Sequence, residues 1–329
     1  MSGCWRTYSY NQGMKRVLFP IGFVVALLGA SLWAQQASKP ELTPVYSDAD
    51  IIKVDVARVP LLFTVTDKKN RFITDLDRED FEVFDNGKNQ EIREFVRESD
   101  LPLRIGIVMD TSNSIRGRIK FEQEAAVEFL RGVLAEETDR AFLVSFDTQA
   151  ELIVDYTNDL DKLAEGVRGL RAGGGTALYD AIYYACRDKL PEDQPKEQFR
   201  RALIVIGDGE DNHSTVTRED ALEMAHKAES VVYTISTNRS GKAETGDSTL
   251  RRFSRETGGI SFHPFQARDL EQSFANIANE LRHQYFILYS PSNFVNDGTF
   301  HKLRIKAGVK NAAVRVRRGY YAPLPDEIN

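Results

Sequence analysis

The stretch Gly106-Ile-Val-Met-Asp-Thr-Ser-Asn-Ser114 joins an apolar run to a group of polar side chains that follow it directly. The apolar run is typical of a buried strand. Asp110, Ser112 and Ser114 then place one carboxylate and two hydroxyls at alternate positions after it. Buried polar groups without partners cost free energy. We therefore expect these three side chains, at the mouth of a core strand, to bind something.

Apolar strands alternate with amphipathic helical patterns on both sides of this stretch. Strands are predicted over residues 103–109, 141–146, 152–154, 202–206 and 231–235. Helices are predicted over residues 119–134, 160–170, 177–190, 218–229, 248–257 and 269–282. Such alternation is typical of an α/β fold with a doubly wound, mostly parallel sheet and helices on both faces. Its ligand site is expected at the carboxyl ends of the strands.

Strand patterns without helices flank this α/β region. Before it, apolar residues alternate at Ile52, Val54 and Val56, and the turn signal Asp85-Asn-Gly87 separates apolar runs over 81–84 and 92–95. After it, strands are predicted over 285–289, 302–305 and 313–317, before Gly319-Tyr-Tyr-Ala-Pro323. Short strand sets bury their apolar faces poorly alone. We therefore predict that the N-terminal β segment (51–100) and the C-terminal β segment (285–323) pair into one small β-sandwich, from which residues 101–284 emerge as an insertion.

The first 34 residues have the pattern of an export signal. Lys15 and Arg16 precede an uncharged apolar run over residues 17–34. Cleavage after Ala34 would release the mature chain, although the run is also long enough to remain as a membrane anchor. Residues 35–50 are polar and contain proline, as a linker would. The sequence therefore predicts an extracytoplasmic protein that is secreted, periplasmic or held at the cell surface.

The composition and net charge of the chain indicate which classes of partner it can bind. The chain has 329 residues, is 42% hydrophobic and carries a formal net charge of −6. A negative chain is a poor candidate for nucleic-acid binding, which needs a concentrated basic surface.

The two cysteines of the chain are Cys4, upstream of the apolar run, and Cys186, in an apolar stretch. We expect no intramolecular disulfide in the mature chain and a buried Cys186.

Three predicted loops at strand ends carry polar groups that belong at one edge of a doubly wound sheet. The first contains Asp110, Ser112 and Ser114, the second is Gly173-Gly-Gly-Thr176, and the third is Gly207-Asp208-Gly-Glu-Asp-Asn212. Asp110 and Asp208 supply two carboxylates there, and Ser112, Ser114 and Thr176 supply three hydroxyls. Glu210 and Asp211 are interpreted as solvated loop acids, with Asp211 as a reserve ligand.

Oxygen ligands with few carboxylates suit a hard divalent cation, Mg²⁺ above all, with Mn²⁺ or Ca²⁺ as substitutes. The five histidines are scattered along the sequence without the spacing of a soft-metal site. Each histidine is therefore interpreted as a surface or packing residue. The pattern predicts a magnesium site made of Asp110, Ser112, Ser114, Thr176 and Asp208.

The order Asp110-x-Ser112-x-Ser114, then Thr176 after a glycine run, then Asp208 after a later strand resembles the von Willebrand factor type A domain and its metal-ion-dependent adhesion site. The resemblance covers about residues 101–284, and the flanks look like those of exported acidobacterial proteins that carry this domain. It implies that Ser112 and Ser114 bind the metal directly and that the other three bind directly or through water. Gly207 departs from the family, which often has Thr or Ser there.

The resemblance further implies an adhesion-type module without enzymatic activity. In that family an Asp or Glu of a protein partner completes the coordination of the cation. Two alternatives stay open. One is a structural or assembly scaffold whose metal site is vestigial. The other is a metal-dependent hydrolase, since carboxylates with magnesium also perform that chemistry, although the sequence offers no P-loop lysine and no G-x-S-x-G serine elbow.

Overall fold

Fourteen strands and six α-helices make up the part of the chain that the computed structural model describes, residues 58–97, 101–195, 198–238, 245–264, 266–292 and 294–324. The strands are β1 (Val59–Thr66), β2 (Phe81–Asp85), β3 (Lys88–Gln90), β4 (Ile92–Val96), β5 (Leu103–Asp110), β6 (Arg140–Phe146), β7 (Ala150–Thr157), β8 (Arg200–Gly207), β9 (Val231–Ser236), β10 (Ser261–Phe262), β11 (Tyr285–Tyr289), β12 (Phe300–Ala307), β13 (Ala313–Val316) and β14 (Gly319–Tyr321). The helices are α1 (Ile119–Val133), α2 (Leu160–Gly169), α3 (Leu178–Tyr184), α4 (Arg218–Lys227), α5 (Thr245–Thr257) and α6 (Ala267–Arg282).

The predicted leader (1–34), the linker (35–50) and the strand pattern at Ile52, Val54 and Val56 lie outside the described residues. All described residues belong to one compact unit, 55–329. Within the described ranges, every helix is too short or too polar to cross a membrane.

The central sheet has six strands in the order β10-β9-β8-β5-β6-β7. Every neighbouring pair is parallel except β6 and β7, which are antiparallel. The two central strands, β5 and β8, are buried along their whole length. Helices α1, α2 and α6 contribute to the apolar core on one face, and α3, α4 and α5 contribute to the core on the other. The predicted doubly wound, mostly parallel α/β fold is confirmed.

A glycine in the middle of β5 lets the central strands pack closely. A Cβ atom at Gly106 would lie 2.4 Å from a ring carbon of Phe142 and 2.6 Å from a methyl carbon of Leu203. Real Cβ atoms do not come that close, so any larger residue at this position would displace the side chains of both neighbouring strands. Gly106 thus holds β5, and the loop that follows it, deep in the sheet.

The flanking segments form two four-stranded sheets, β13-β1-β11-β4 and β14-β12-β2-β3. Each sheet contains strands from both ends of the chain, since β1 pairs with β11 and β2 pairs with β12. One apolar core lies between the sheets and includes Phe63, Val83, Ile287 and Ile305. The predicted pairing of the flanks into a small β-sandwich is therefore observed.

One detail of the predicted hairpin is wrong. The turn itself is present, since Asn86 and Gly87 both have positive φ angles, 48° and 81°. The returning strand, however, is the polar β3, which pairs with β2. Residues 92–95, predicted as the partner, belong to β4 in the opposite sheet and pair with β11. Lys88-Asn-Gln90 shows no alternation of apolar and polar residues, so the sequence pattern did not predict a strand there. The segment is a strand because it pairs with β2.

Three smaller differences lie in the α/β region. Helix α3 ends at Tyr184 and continues as a π-helical turn over Ala185–Lys189. Strand β7 has eight residues, whereas three were predicted. The exposed positions of this edge strand are polar, so the alternation typical of a strand does not extend over its whole length. The two-residue β10 was not predicted at all.

Cys186 is fully buried, as expected, and burial raises the pKa of its thiol to about 12.

Candidate functional site

The three polar loops do meet at one edge of the central sheet. The first loop follows β5, the second precedes α3 and the third follows β8. Loop one touches loop two where the backbone N–H of Asn113 donates to the carbonyl of Gly174 (3.4 Å). Loop two touches loop three where the N–H of Asn212 donates to the carbonyl of Thr176 (2.9 Å). Main-chain hydrogen bonds thus hold all three loops together.

Four of the five predicted site residues are linked by a continuous chain of hydrogen bonds. The backbone N–H of Ser112 donates to Oδ1 of Asp110 (2.7 Å). The hydroxyl oxygens of Ser112 and Ser114 lie 2.9 Å apart. The hydroxyl of Ser114 donates to Oδ2 of Asp208 (2.7 Å). The side-chain oxygens of two strand ends, 94 positions apart in sequence, therefore converge.

The first loop points alternate side chains in different directions. The Thr111 hydroxyl and backbone N–H both donate to the carbonyl of Phe146, at 3.1 and 2.8 Å, so this side chain faces β6. Ser112 precedes a single 3₁₀ turn, Asn113–Ile115, but its side chain does not cap that turn. Ile115 is fully buried and anchors the turn. The hydroxyls of Ser112 and Ser114 are therefore left facing Asp110 and Asp208.

Thr176 is fixed beside this group by its backbone and lies apart from the hydrogen-bonded chain. Its N–H donates to Oδ1 of Asn212 (3.0 Å), and its carbonyl accepts from the N–H groups of Asn212 and His213. The residue is 6% exposed. Among the described residues, its hydroxyl makes no hydrogen bond to the other four predicted ligands. The structure thus brings the loop of Thr176 to the site without linking its side chain into it.

The third loop turns sharply around Gly209, which has a φ of +79°. Oδ1 of Asp208 accepts a hydrogen bond from the N–H of Glu210 (3.0 Å), which closes the turn. A Cβ on Gly209 would lie 2.2 Å from the carbonyl oxygen of Gly246, at the start of α5. Two glycines thus allow the loop to sit directly against α5, which fixes where Asp208 presents its carboxylate.

Glu210 is a solvated loop acid, as interpreted, whereas Asp211 differs from that interpretation. Glu210 is exposed, but its carboxylate accepts from the N–H of Gly246 (3.1 Å). Asp211 is partly buried and accepts from the N–H of Tyr179 (3.2 Å) and from the hydroxyl of Ser214 (2.6 Å). Asp211 therefore caps the first turn of α3, because that turn has free N–H groups. This structural role argues against Asp211 as a reserve ligand.

Asp110 is the electrostatically unusual member of the group. It is 1% exposed, and its Oδ2 atom is buried without a hydrogen-bond partner. Burial raises the pKa of its carboxyl group to about 6, and the negative charge of Asp208 adds to this effect, while hydrogen bonds from Ser112 oppose it. A charged carboxylate without a full set of partners is costly in such a place. A cation beside Oδ2 would relieve that cost.

These residues fit a hard divalent cation. The donors are carboxylate and hydroxyl oxygens, the ligand type that Mg²⁺ and Ca²⁺ prefer. Within the described residues, no group of three or more His, Cys, Asp or Glu side chains is placed to hold a metal ion. A cation at this edge would therefore depend on the hydroxyls of Ser112 and Ser114 as well as on the carboxylates of Asp110 and Asp208.

Sequence reasoning missed a fourth loop, which follows β6. The hydroxyl of Thr148 accepts from the N–H of Gly175 (3.1 Å), and the carbonyl of Asp147 accepts from the N–H of Ala177 (2.7 Å). Both contacts hold the ends of the Thr176 loop. The signal was available, because Asp147 and Thr148 directly follow a predicted strand, as Asp110 and Asp208 do. The support of Thr176 by Asn212, in contrast, depends on tertiary contacts alone.

Comparison with known proteins agrees with this architecture. The family model of the von Willebrand factor type A domain matches residues 105–210. An uncharacterized protein of Borreliella burgdorferi is 27% identical over 184 residues, which cover 48% of this chain and 52% of that protein. The chain thus spans about half the length of this curated relative.

Solved structures with a similar course of the chain come from bacteria and from the mussel byssus. A von Willebrand factor type A structure from Catenulispora acidiphila has a TM-score of 0.47 at 11% identity, covering 83% of this chain and 75% of that one. The vWF domain of a type V pilus tip protein from Porphyromonas gingivalis has a TM-score of 0.46 at 16% identity, covering 54% and 94%. Proximal thread matrix protein 1 from the mussel byssus has a TM-score of 0.48 at 14% identity, covering 60% and 51%. The region that carries the candidate site, residues 105–210, thus matches the von Willebrand factor type A domain family.

Proposed function

We propose that this protein is an exported, metal-dependent binding module that captures an acidic side chain of a protein partner. One observation carries the proposal: Ser112 and Ser114 connect two buried carboxylates that are distant in sequence, and Asp110 keeps a buried oxygen without a partner. Neither serine is used to cap a helix. Oxygen atoms gathered in this way, with a charge left unsatisfied, support a cation site better than a structural turn does.

Asp110, Ser112, Ser114, Thr176 and Asp208 would hold a divalent cation, Mg²⁺ with Mn²⁺ or Ca²⁺ as substitutes. When bound, the cation supplies a Lewis-acidic centre that attracts an Asp or Glu carboxylate from the partner. Asp110 and Asp208 would balance part of its charge, and the two neutral serine hydroxyls would leave the remainder for a carboxylate of the partner. The main-chain bonds between the loops keep these oxygens in place before any ligand arrives. Such preorganisation reduces the entropy lost on binding.

We further propose that the protein works outside the cytoplasm and has no enzymatic activity. The basic residues Lys15 and Arg16 before the apolar run of residues 17–34 support export, either as a cleaved signal or as an anchor. The gathering of neutral hydroxyls at the site supports binding over hydrolysis, because metal-dependent hydrolysis also needs a group that activates water.

A peptide array gives a direct test of this function. Peptides that present Asp or Glu are compared with matched peptides that carry Asn or Gln, and the full chain is applied in Mg²⁺ and then in EDTA. The proposal predicts binding that requires the carboxylate, the metal and Asp110, so that Asp110→Ala and EDTA each remove it. Binding that survives both treatments would favour the scaffold alternative. Metal-dependent turnover of a phosphate ester by the same protein would favour the hydrolase.

A further inference from the structure

A second binding surface lies away from the loops of the candidate metal site. A groove of about 460 Å³ runs between the last turns of α5, the start of β10 and strands β12 and β13. Its walls carry five arginines, Arg251, Arg255, Arg304, Arg315 and Arg318. No residue that lines it has a carboxylate. The groove is therefore strongly positive on a chain whose net charge is −6.

Three of the five arginines are available to a ligand. Arg315 contacts Glu280 (3.1 Å), and Arg255 contacts Glu256 (3.0 Å), so these two charges are partly neutralised. Arg251, Arg304 and Arg318 are exposed and form no ion pair with any described residue. Exposed guanidinium groups in one groove repel one another, and a negatively charged ligand would remove that repulsion.

The walls of the groove are held rigidly. The backbone N–H of Arg318 donates to the carbonyl of Glu256 in α5 (2.8 Å), and its carbonyl accepts from the N–H of Leu303 in β12 (2.8 Å). The guanidinium carbon of Arg304 lies 4.5 Å from the centre of the Phe84 ring. The side chain of Arg304 and the backbone of Arg318 are thus held before a ligand binds, which lowers the entropic cost of binding.

Two sheet edges border the same groove. β13 ends its sheet and has β1 as its neighbour, and β10 ends the central sheet and has β9 as its neighbour. Val314 and Val316 of β13 line the groove, as does Ser261 of β10. The edge of a sheet offers backbone donors and acceptors to an added strand. Ile260, which is partly exposed, also lines the groove and gives such a strand an apolar side chain to pack on.

We propose that this groove binds an acidic, extended segment of a protein partner, which adds a strand beside β13 and places carboxylates against Arg251, Arg304 and Arg318. Side chains of a strand alternate between its two faces. A segment that alternates acidic and apolar residues would therefore turn its acids to the arginines and its apolar residues to Ile260. This surface goes beyond the proposed metal-dependent function, because none of its residues belongs to the metal site.

Nucleic acid and other polyanions fit the groove less well. They would use the charge of the arginines but neither the strand edge of β13 nor the apolar side chains beside it. The negative net charge of the chain also opposes a long polyanion that extends beyond the groove. An acidic polypeptide uses the positive charge, the strand edge and the apolar surface of the groove. We therefore assign this class of partner to the groove.

Fluorescence anisotropy with a labelled synthetic peptide tests the proposal. The probe is a roughly ten-residue peptide that alternates glutamate with valine, the length and pattern of an added strand. It is titrated with the full chain in EDTA, so that the metal site cannot contribute. We expect saturable binding that weakens on the order of tenfold or more when Arg251, Arg304 and Arg318 are together replaced by glutamate. Arg187→Glu, an exposed arginine of the π-helical turn, is the matched control and should leave binding unchanged.

Two further probes separate charge from strand addition. A peptide of the same sequence with alternate backbone nitrogens methylated should bind much more weakly, because it cannot complete a strand. A glutamine-for-glutamate peptide should also lose affinity. Equal binding of the methylated peptide, or stronger binding of heparin than of the peptide, would overturn the proposal in favour of a polyanion site.

Folding of the variants is checked independently of peptide binding. The thermal midpoint of the triple variant should stay close to that of the parent, since these three arginines are exposed. If the triple variant unfolds, the double variant Arg304→Gln with Arg318→Gln tests the same groove with less disturbance. An unchanged affinity in that folded variant would contradict the proposal, whatever the metal site does.

Discussion

The hydroxyl of Ser114 donates a 2.7 Å hydrogen bond to the carboxylate of Asp208, which lies 94 positions later in the chain. This contact joins the loop after β5 to the loop after β8, the two central strands of the sheet. It is possible because both strands are parallel and end at the same edge. A serine and an aspartate from separate strand ends thereby form the middle of the candidate metal site.

The buried charge of Asp110 should reduce stability in the absence of metal. Its Oδ2 atom is buried without a partner, and burial together with Asp208 raises its pKa to about 6. We expect Asp110→Asn to stabilise the metal-free protein at neutral pH by about 1–3 kcal/mol, because the amide carries no charge into the buried site. Thermal denaturation in EDTA measures this. A midpoint below that of the parent would show that the carboxylate is satisfied without metal.

Gly207 should be required for the position of the Asp110 side chain. A Cβ on Gly207 would lie 3.1 Å from Oδ2 of Asp110 and 3.0 Å from its Cβ. We expect Gly207→Ala to push the carboxylate away, with a loss of stability of about 1–3 kcal/mol and weaker metal binding. Gly117→Ala is the control near the same loop, because a Cβ there meets nothing within 4 Å. Equal metal affinity in the two variants would show that Asp110 adapts to the added methyl group.

Acid should destabilise the protein in part through His226. This histidine is 4% exposed, with its ring against Phe300 and Tyr321, and burial plus the charge of Arg317 lower its pKa from 6.5 to about 4, which Glu256 partly opposes. Below pH 6.5 the unfolded chain binds a proton at this residue that the folded chain does not bind. Stability is therefore lost as pH falls from 6.5 to 4, by up to about 3 kcal/mol.

The variant His226→Leu isolates this effect. Its free energy of unfolding, measured by denaturant titration across the same pH range, should change less with pH than that of the parent. The raised pKa values of Asp110 and Glu280 act in the opposite sense, but they are common to both proteins and cancel in the comparison. Parallel pH profiles for the two proteins would contradict the prediction.

A buried polar cluster should hold the β-sandwich together. The hydroxyls of Tyr289 and Tyr320 both donate to Oδ2 of Asp85 (2.8 Å each), and Nδ1 of His301 lies 2.9 Å from Oδ1. These four residues come from β2, β11, β12 and β14, so the cluster joins both ends of the chain. We expect Asp85→Asn to reduce the free energy of unfolding by about 2–4 kcal/mol, because it leaves buried partners unsatisfied.

Asp75→Asn, at an exposed position of the same segment, is the matched control for Asp85→Asn and should change the free energy of unfolding by less than about 0.5 kcal/mol. Urea denaturation of both variants gives the comparison. Similar, small losses for the two would mean that the tyrosine hydroxyls find other partners when the carboxylate is removed.

Periodicity predicted most of the fold because each element has a consistent buried face. β5 and β8 are apolar along their length, and α1 and α6 show clear helical spacing, so these elements were predicted to within a few residues. β3 was missed because Lys88-Asn-Gln90 becomes a strand only by pairing with β2. Sequence patterns report burial, and an element that is polar on most positions leaves little signal.

The candidate site was predictable to the extent that it follows from strand ends. Asp110 and Asp208 directly follow core strands, and parallel strands bring such positions together. The capping role of Asp211 was missed, because it depends on where the first turn of α3 falls in space. The arginine groove could not be predicted from the sequence either, since Arg251 of α5 and Arg304 of β12 line one groove only in the folded chain.

Calorimetric titration of the full chain with Mg²⁺ and Mn²⁺ tests the central claim most directly. The account predicts saturable binding to the parent that disappears in Asp110→Ala. Binding should persist in Glu210→Gln, which removes one charge from the neighbouring loop and keeps an acceptor for the N–H of Gly246. A folded parent that binds neither ion, or equal binding by Asp110→Ala, would contradict a metal site at this edge of the sheet.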